Sequence, residues 1–176
     1  MGALSVDDIA HTILLAAMSL QQISDNFILE LSNLDILSAV VSNLCDEKML
    51  CRDIFCLVEQ KNVADLMRLC EDNDLDTGAA DKLIGLLKIY GTAAEQLPKL
   101  EALMQGLHCE TALAELKQVI SKFAALVDKL WLDFSSTDDL GYYNGFAFKA
   151  YVKGLEEPVL SGGQYDKLMQ KMQRKD

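Results

Sequence analysis

A chain of 176 residues, 51% of them apolar and only 2 of them proline, has the size of one domain and is too apolar to stay unfolded. Its formal net charge of -11 argues against generic binding of nucleic acid, which draws on Lys and Arg to neutralise phosphates, and disfavours anionic membrane surfaces. Cys45, Cys51, Cys56, Cys70 and Cys109 follow no C-x-x-C spacing, and His11 and His108 have no second histidine near them. The expectation is therefore reduced, mostly buried thiols, with no metal centre and no cofactor.

The start, Met1-Gly2-Ala3-Leu4, has no basic stretch and is followed by Asp7 and Asp8, so it does not read as a secretory signal. The longest apolar run, residues 13–18, is too short to cross a bilayer, and a cytoplasmic location is expected. Ser5 is placed to cap the first helix, with Asp8 in the capping-box position. Val6, Ile9, Ala10, Ile13, Leu14 and Ala17 follow at helical spacing. After Ser24-Asp25-Asn26, residues 27–31 alternate as a strand, with Phe27, Leu29 and Leu31 on one face and Ile28 and Glu30 on the other.

From residue 35 to 127 every segment reads as helix. Leu37, Val40, Val41 and Leu44 make one stripe, and Leu50, Ile54, Leu57 and Val58 the next. Asn62 is placed to cap a helix bearing Val63, Leu66, Met67 and Cys70; Asp76 or Thr77 is placed to cap one bearing Leu83, Ile84, Leu87 and Tyr90, with Gly91 closing it. Leu97, Leu100 and Leu103 mark a further helix. Thr111 opens a long one running through Phe123 to Val127. After Lys129 the period becomes two. Leu130, Leu132 and Phe134 alternate with Trp131, Asp133 and Ser135, and a second strand carries Phe146, Phe148, Ala150 and Val152. Between them, Asn144-Gly145 reads as a hairpin turn. Ser161-Gly162-Gly163 reads as a loop before a last helix near Gln164. Strands on both sides of a helical block predict an α+β fold in which residues 1–34 and 128–176 form a sheet-containing core and residues 35–127 an inserted helical subdomain.

The region carrying chemistry is 130–172. A tyrosine pair, Tyr142-Tyr143, offers a ring as a wall and a hydroxyl as a polar handle, and glycines at 145, 162 and 163 let the backbone approach a ligand closely. This suits a small polar ligand such as an amino acid. Adjacent carboxylates such as Asp7-Asp8, Asp138-Asp139 and Glu156-Glu157 point in different directions on a helix or strand and read as solvated surface or caps.

Asp133-Phe134-Ser135 followed by Gly141-Tyr142-Tyr143-Asn144-Gly145-Phe146-Ala147-Phe148 resembles the histidine-specific motif of histidyl-tRNA synthetases, and Ser161-Gly162-Gly163-Gln164-Tyr165-Asp166 resembles their second glycine loop. With Asn144 after the tyrosines and Lys149 after the strand, the string looks closest to the ATP phosphoribosyltransferase regulatory subunits, relatives of those synthetases. The resemblance implies part of a class II aminoacyl-tRNA synthetase-like antiparallel-sheet domain carrying a helical insertion. It implies a non-catalytic subunit partnered by the short-form catalytic ATP phosphoribosyltransferase in histidine biosynthesis. It also implies a pocket for L-histidine formed by Tyr142, Tyr143, Gly162 and Gly163.

The departures from the synthetase pattern bear on the activity. Asp138 stands where the synthetases place an arginine that stabilises charge during activation, and an acid there repels phosphate. Gln164 stands where relatives usually have arginine, and Asn144, Gly145, Tyr165 and Asp166 complete the motif positions. Two rival readings stay open: a fragment of a true histidyl-tRNA synthetase, and a helical interaction module that binds no ligand.

Overall fold

The structure, a computed structural model, describes residues 4–135, 144–166 and 172. Helix α1 (Val6–Gln21) starts where its sequence places it. The Ser5 hydroxyl accepts from the Asp8 N–H at 3.2 Å, and the Asp8 carboxylate accepts from the Ser5 N–H at 2.9 Å, so two orphan donors are satisfied reciprocally. Ala10, Ile13, Ala17 and Leu20 make its buried stripe. Strand β1 (Phe27–Asn33) continues past Leu31. Asn33 both ends the strand and caps helix α2 (Leu34–Leu44), its Oδ1 accepting from the Asp35 N–H at 3.0 Å.

Helices α3 (Lys48–Glu59), α4 (Val63–Asp72) and α5 (Thr77–Leu87) follow. Asn62 and Asp76 are the caps that the sequence predicts: Asn62 Oδ1 accepts from the Asp65 N–H at 3.1 Å and Asp76 Oδ2 from the Ala79 N–H at 2.7 Å. Asp76→Ala is expected to lower stability by about 1 kcal/mol in urea titration, with Asp76→Asn retaining most of it, because only the acceptor matters to the cap.

Several elements differ from expectation. Tyr90 does not close α5, which ends at Leu87; Tyr90, Gly91 and Thr92 form the short strand β2 (Tyr90–Thr92). Gly91 is not a helix cap. It takes φ +140 within that strand, with the Gln96 side chain where a Cβ would project. Helix α6 (Ala93–Leu103) is as expected, but the long helix after it is two pieces: α7 (Glu110–Ser121) and a 3-10 helix (Ala124–Lys129) that leads straight into strand β3 (Leu130–Asp133). Met67, counted with the apolar stripe of α4, is exposed, while Leu66 and Cys70 are buried. Among the cysteines, Cys45, Cys70 and Cys109 are buried, Cys51 is half-buried and Cys56 is exposed.

Strands β4 (Asn144–Val152) and β5 (Leu160–Gln164) complete a sheet of order β2-β3-β1-β4-β5. β1 runs parallel to β3, with Leu29 opposite Leu130, and antiparallel to β4, with Leu31 opposite Phe148. β3 and β4 are therefore not a hairpin, since β1 lies between them. Asn144-Gly145 instead opens β4, where the pairing with β5 is irregular between Asn144 and Ala147. The Ser161-Gly162-Gly163 stretch is strand rather than loop.

One face of the sheet presents Phe27, Leu29, Leu31, Leu130, Leu132, Phe146 and Ala150. These join the buried stripes of the helices in one apolar cluster that includes Ile36, Ile54, Leu83, Leu116 and Phe123. No described helix is long and apolar enough to cross a membrane.

Candidate functional site

The sheet's other face is polar, and strand register sorts its residues into two rows across the strands. Tyr90 lies opposite Asp133, Ala147 lies opposite both Ser32 and Gly163, and Ser32 and Asp133 each follow the paired residues Leu31 and Leu132. The first row is thus Tyr90, Asp133, Ser32, Ala147 and Gly163. The second is Thr92, Trp131, Glu30, Lys149 and Ser161, from the pairs Thr92–Trp131, Glu30–Trp131, Glu30–Lys149 and Lys149–Ser161. Small side chains at 32, 147 and 163 leave the first row low from β1 to β5, with Asp133 at its β3 position and Glu30 and Lys149 in the second row.

Asp133 is fixed by its own strand end. Its Oδ1 accepts from the Ser135 N–H at 2.7 Å and from the Ser135 hydroxyl at 2.5 Å, and its Oδ2 lies 3.6 Å from Lys61 Nζ. Lys61 reaches the sheet from the turn between α3 and α4, where it holds a left-handed φ of +53. Glu30 is 8% exposed. Burial, reinforced by the nearby charge of Asp133, holds its carboxyl above the usual range, while the Tyr90 hydroxyl and the lysines at 61 and 149 act in the opposite direction. Partial desolvation and the Glu30 charge push the Tyr90 phenol up. The Tyr90 ring meets Trp131 edge-on, with centroids 5.1 Å apart.

Because the Glu30 carboxyl is raised in the folded chain, its proton favours the fold. That stability is fully present below the unfolded value and is lost as pH rises through the folded one. Glu30→Gln is therefore expected to be more stable than the parent at pH 7, with the gap closing as pH falls through the folded value and gone by about pH 4. Parallel denaturation curves at several pH values test this.

The described motif residues meet at one end of the sheet. Ser135 follows β3 there and Asn144 enters β4 there, both beside the C-terminal end of β1. Asn144 pairs with Gln164, and its Nδ2 donates to Asp166 Oδ2 at 3.2 Å. Gln164 is spoken for: its Oε1 accepts from the Phe146 N–H at 2.7 Å, closing the irregularity in β4. Gly145, at φ +61, leaves room for that amide, which a Cβ would strike. Gly163 belongs to the polar face. Gly162 lies on the other, where a Cβ would come within 2.7 Å of the Phe148 ring. Tyr165 is 43% exposed. Asp138, Tyr142 and Tyr143 lie outside the described residues. Among the described residues, no group of three or more His, Cys, Asp or Glu is placed to hold a metal ion.

Sequence reasoning missed Glu30, Lys61 and Tyr90. Glu30 had one available signal, its place on the face opposite Leu29 and Leu31. What gathers it with Asp133 and Tyr90 is strand order, which no local pattern carries.

A largely antiparallel sheet with helices packed on one face and polar rows on the other is a class II aminoacyl-tRNA synthetase-like fold. The family model described as histidyl-tRNA synthetase matches residues 1–176, and the chain belongs to that family. It is 29% identical over 174 residues to a protein of Alkaliphilus metalliredigens named ATP phosphoribosyltransferase regulatory subunit, a match that takes in 96% of this chain and 43% of that protein. The chain thus spans less than half the length of that relative. A crystal structure of an ATP phosphoribosyltransferase regulatory subunit/histidyl-tRNA synthetase from Bacillus halodurans superposes with a TM-score of 0.86 at 22% identity, over 98% of this chain and 46% of that one. A chain of the ATP phosphoribosyl transferase (HisG:HisZ) complex from Thermotoga maritima superposes with a TM-score of 0.72 at 17% identity, over 92% of this chain and 57% of that one.

Proposed function

We propose that this chain is part of a non-catalytic regulatory subunit of ATP phosphoribosyltransferase, the first step of L-histidine biosynthesis, working in the cytoplasm in a hetero-oligomer with the short-form catalytic subunit. The observation that carries the reading is the match to a relative of that name along 96% of the chain. The resemblance adds to it: by that resemblance Asp138 would stand in the place of the arginine on which synthetase chemistry depends, and an acid there would oppose binding and reaction of phosphates.

The same reading assigns a histidine pocket to the motif end of the sheet. Tyr142 and Tyr143 would wall it. Gly163 would leave its floor open on the polar face, and Gly162 would set how closely β5 lies on β4. The low centre of the first row, beside the carboxylates of Asp133 and Glu30, suits a small ligand that brings an ammonium group. We also infer that residues 35–127 are an insertion carried on a core of 1–34 and 128–176; the turn holding Lys61 would then reach the core's polar face from that insertion.

Calorimetric titration of histidine into the chain, with Tyr142→Ala alongside, tests the pocket. Saturable binding in the parent that is lost in the variant is expected, and its absence in the parent rejects the pocket. Capture of the short-form catalytic subunit by the same protein tests the partnership. The second reading, a piece of a histidyl-tRNA synthetase, has in its favour the family model that spans the chain. Histidine-dependent ATP–pyrophosphate exchange in the whole protein would establish that reading and overturn the first.

A further inference from the structure

At the corner between α2 and α3, two cysteines face each other. Cys45 follows α2, its N–H donating to the Val41 carbonyl at 3.0 Å, and Cys51 lies in the start of α3, its N–H donating to the Glu47 carbonyl at 2.9 Å. Their sulfur atoms are 2.7 Å apart, and the Cys51 thiol also donates to the Cys45 carbonyl at 3.2 Å. Both ends of the corner are thus held by backbone hydrogen bonds with the sulfurs facing each other. The remaining approach, to the bond length of about 2.05 Å, is a fraction of an ångström. We propose that Cys45 and Cys51 form an oxidisable dithiol site, which a low-molecular-weight disulfide converts to an intramolecular disulfide tying α2 to α3.

The exchange balances without any other reagent. Cys51, the more accessible of the two, attacks one sulfur of the small disulfide after losing its proton, forming a mixed disulfide and expelling one small thiol. Cys45 then loses its proton and attacks the Cys51 sulfur, forming the protein disulfide and expelling the second small thiol. The protein gives up two electrons and two protons; the small disulfide takes both as two thiols. Burial and the adjoining Cys51 thiol push the Cys45 thiol up to about 12, so it is a poor opening nucleophile and serves as the resolving partner, where proximity replaces thiolate population. Disulfides of this reversible kind are the ones met in reducing compartments, so the site is compatible with thiols that are free at rest.

The test is equilibration of the native chain with oxidised glutathione, followed by acid quench, alkylation of free thiols and peptide mass spectrometry. Expected is a Cys45–Cys51 cross-link lighter by two hydrogens, unchanged in Cys56→Ser. Cys45→Ser should stop at a glutathione adduct on Cys51, and Cys51→Ser should leave Cys45 alkylatable only after unfolding. The proposal is overturned if both thiols stay free while exposed Cys56 carries glutathione, if Cys51 pairs with Cys56, Cys70 or Cys109 instead, or if the cross-link arises only in denaturant.

Discussion

Phe146→Ala is expected to lower folding stability by about 3–5 kcal/mol, seen as a shifted urea midpoint at unchanged slope. Phe146 is 1% exposed and among the largest fully buried side chains. It sits opposite Asn33 at the end of β1, on the sheet face that meets α2. Truncation there removes transfer energy and leaves a cavity between a strand and a helix that are each held by several other contacts, so collapse around the hole is limited. Leu155→Ala is the comparison. With its side chain 57% exposed, it should move stability by no more than about 0.5 kcal/mol. The backbone N–H of Phe146 is also the donor to Gln164, so loss of the anchor loosens the entry of β4, where the motif residues sit. If the proposed pocket is correct, histidine affinity should fall in Phe146→Ala although no pocket side chain has changed.

Asp133→Ala should cost about 2 kcal/mol, because a 3% exposed carboxylate accepting two hydrogen bonds from Ser135 leaves a buried N–H without its acceptor when removed. The same change has a second effect. Asp133 is, after burial, the next cause of the raised Glu30 carboxyl, so removing it should bring Glu30 down toward the ordinary carboxylate range. Carbon NMR titration of the Glu30 carboxyl reads this directly. Asp133→Asn separates the two effects: it keeps an oxygen for Ser135 and so should lose less stability, yet it drops the charge and should lower the Glu30 value as fully as alanine does. An unchanged Glu30 titration in both variants would show that the two acids do not sense each other.

Where the fold depends on short-range chemistry, the residues announce it. Ser5 with Asp8, Asn62 with Asp65, and the alternation of Phe27, Leu29 and Leu31 each specify a local geometry that the structure adopts. Tyr90-Gly91-Thr92 is too short to show a period of two, and it is a strand only because Asp133 and Trp131 of β3 lie beside it. Asn144-Gly145 carries the right chemistry for a turn between strands, but β1 fills the space between β3 and β4, so the positive φ of Gly145 is spent on an irregular pairing instead. The glycines at 162 and 163 read as loop by composition. They are strand because Phe148 lies over one of them and Ala147 pairs with the other. The candidate site shows the same division. Its motif residues, Asp133 among them, fall in short strings legible in the sequence, whereas Glu30, Tyr90 and Lys61 come from three distant stretches and join Asp133 only through sheet order and one turn.

The place of β1 at the centre of the sheet also sets an order of events as the chain is made. Both of its neighbours are synthesised much later, β3 beginning at Leu130 and β4 at Asn144. While the ribosome works through the intervening helices, β1 has two unpaired edges and a row of buried-type side chains with no sheet to join. Pairing it requires closing a chain loop that contains α2 to α7, so native contacts here are long-range and the nascent chain waits in an incomplete state that favours association with other chains. Conditions that slow synthesis between residues 34 and 130 should therefore increase the fraction of chains lost to aggregation.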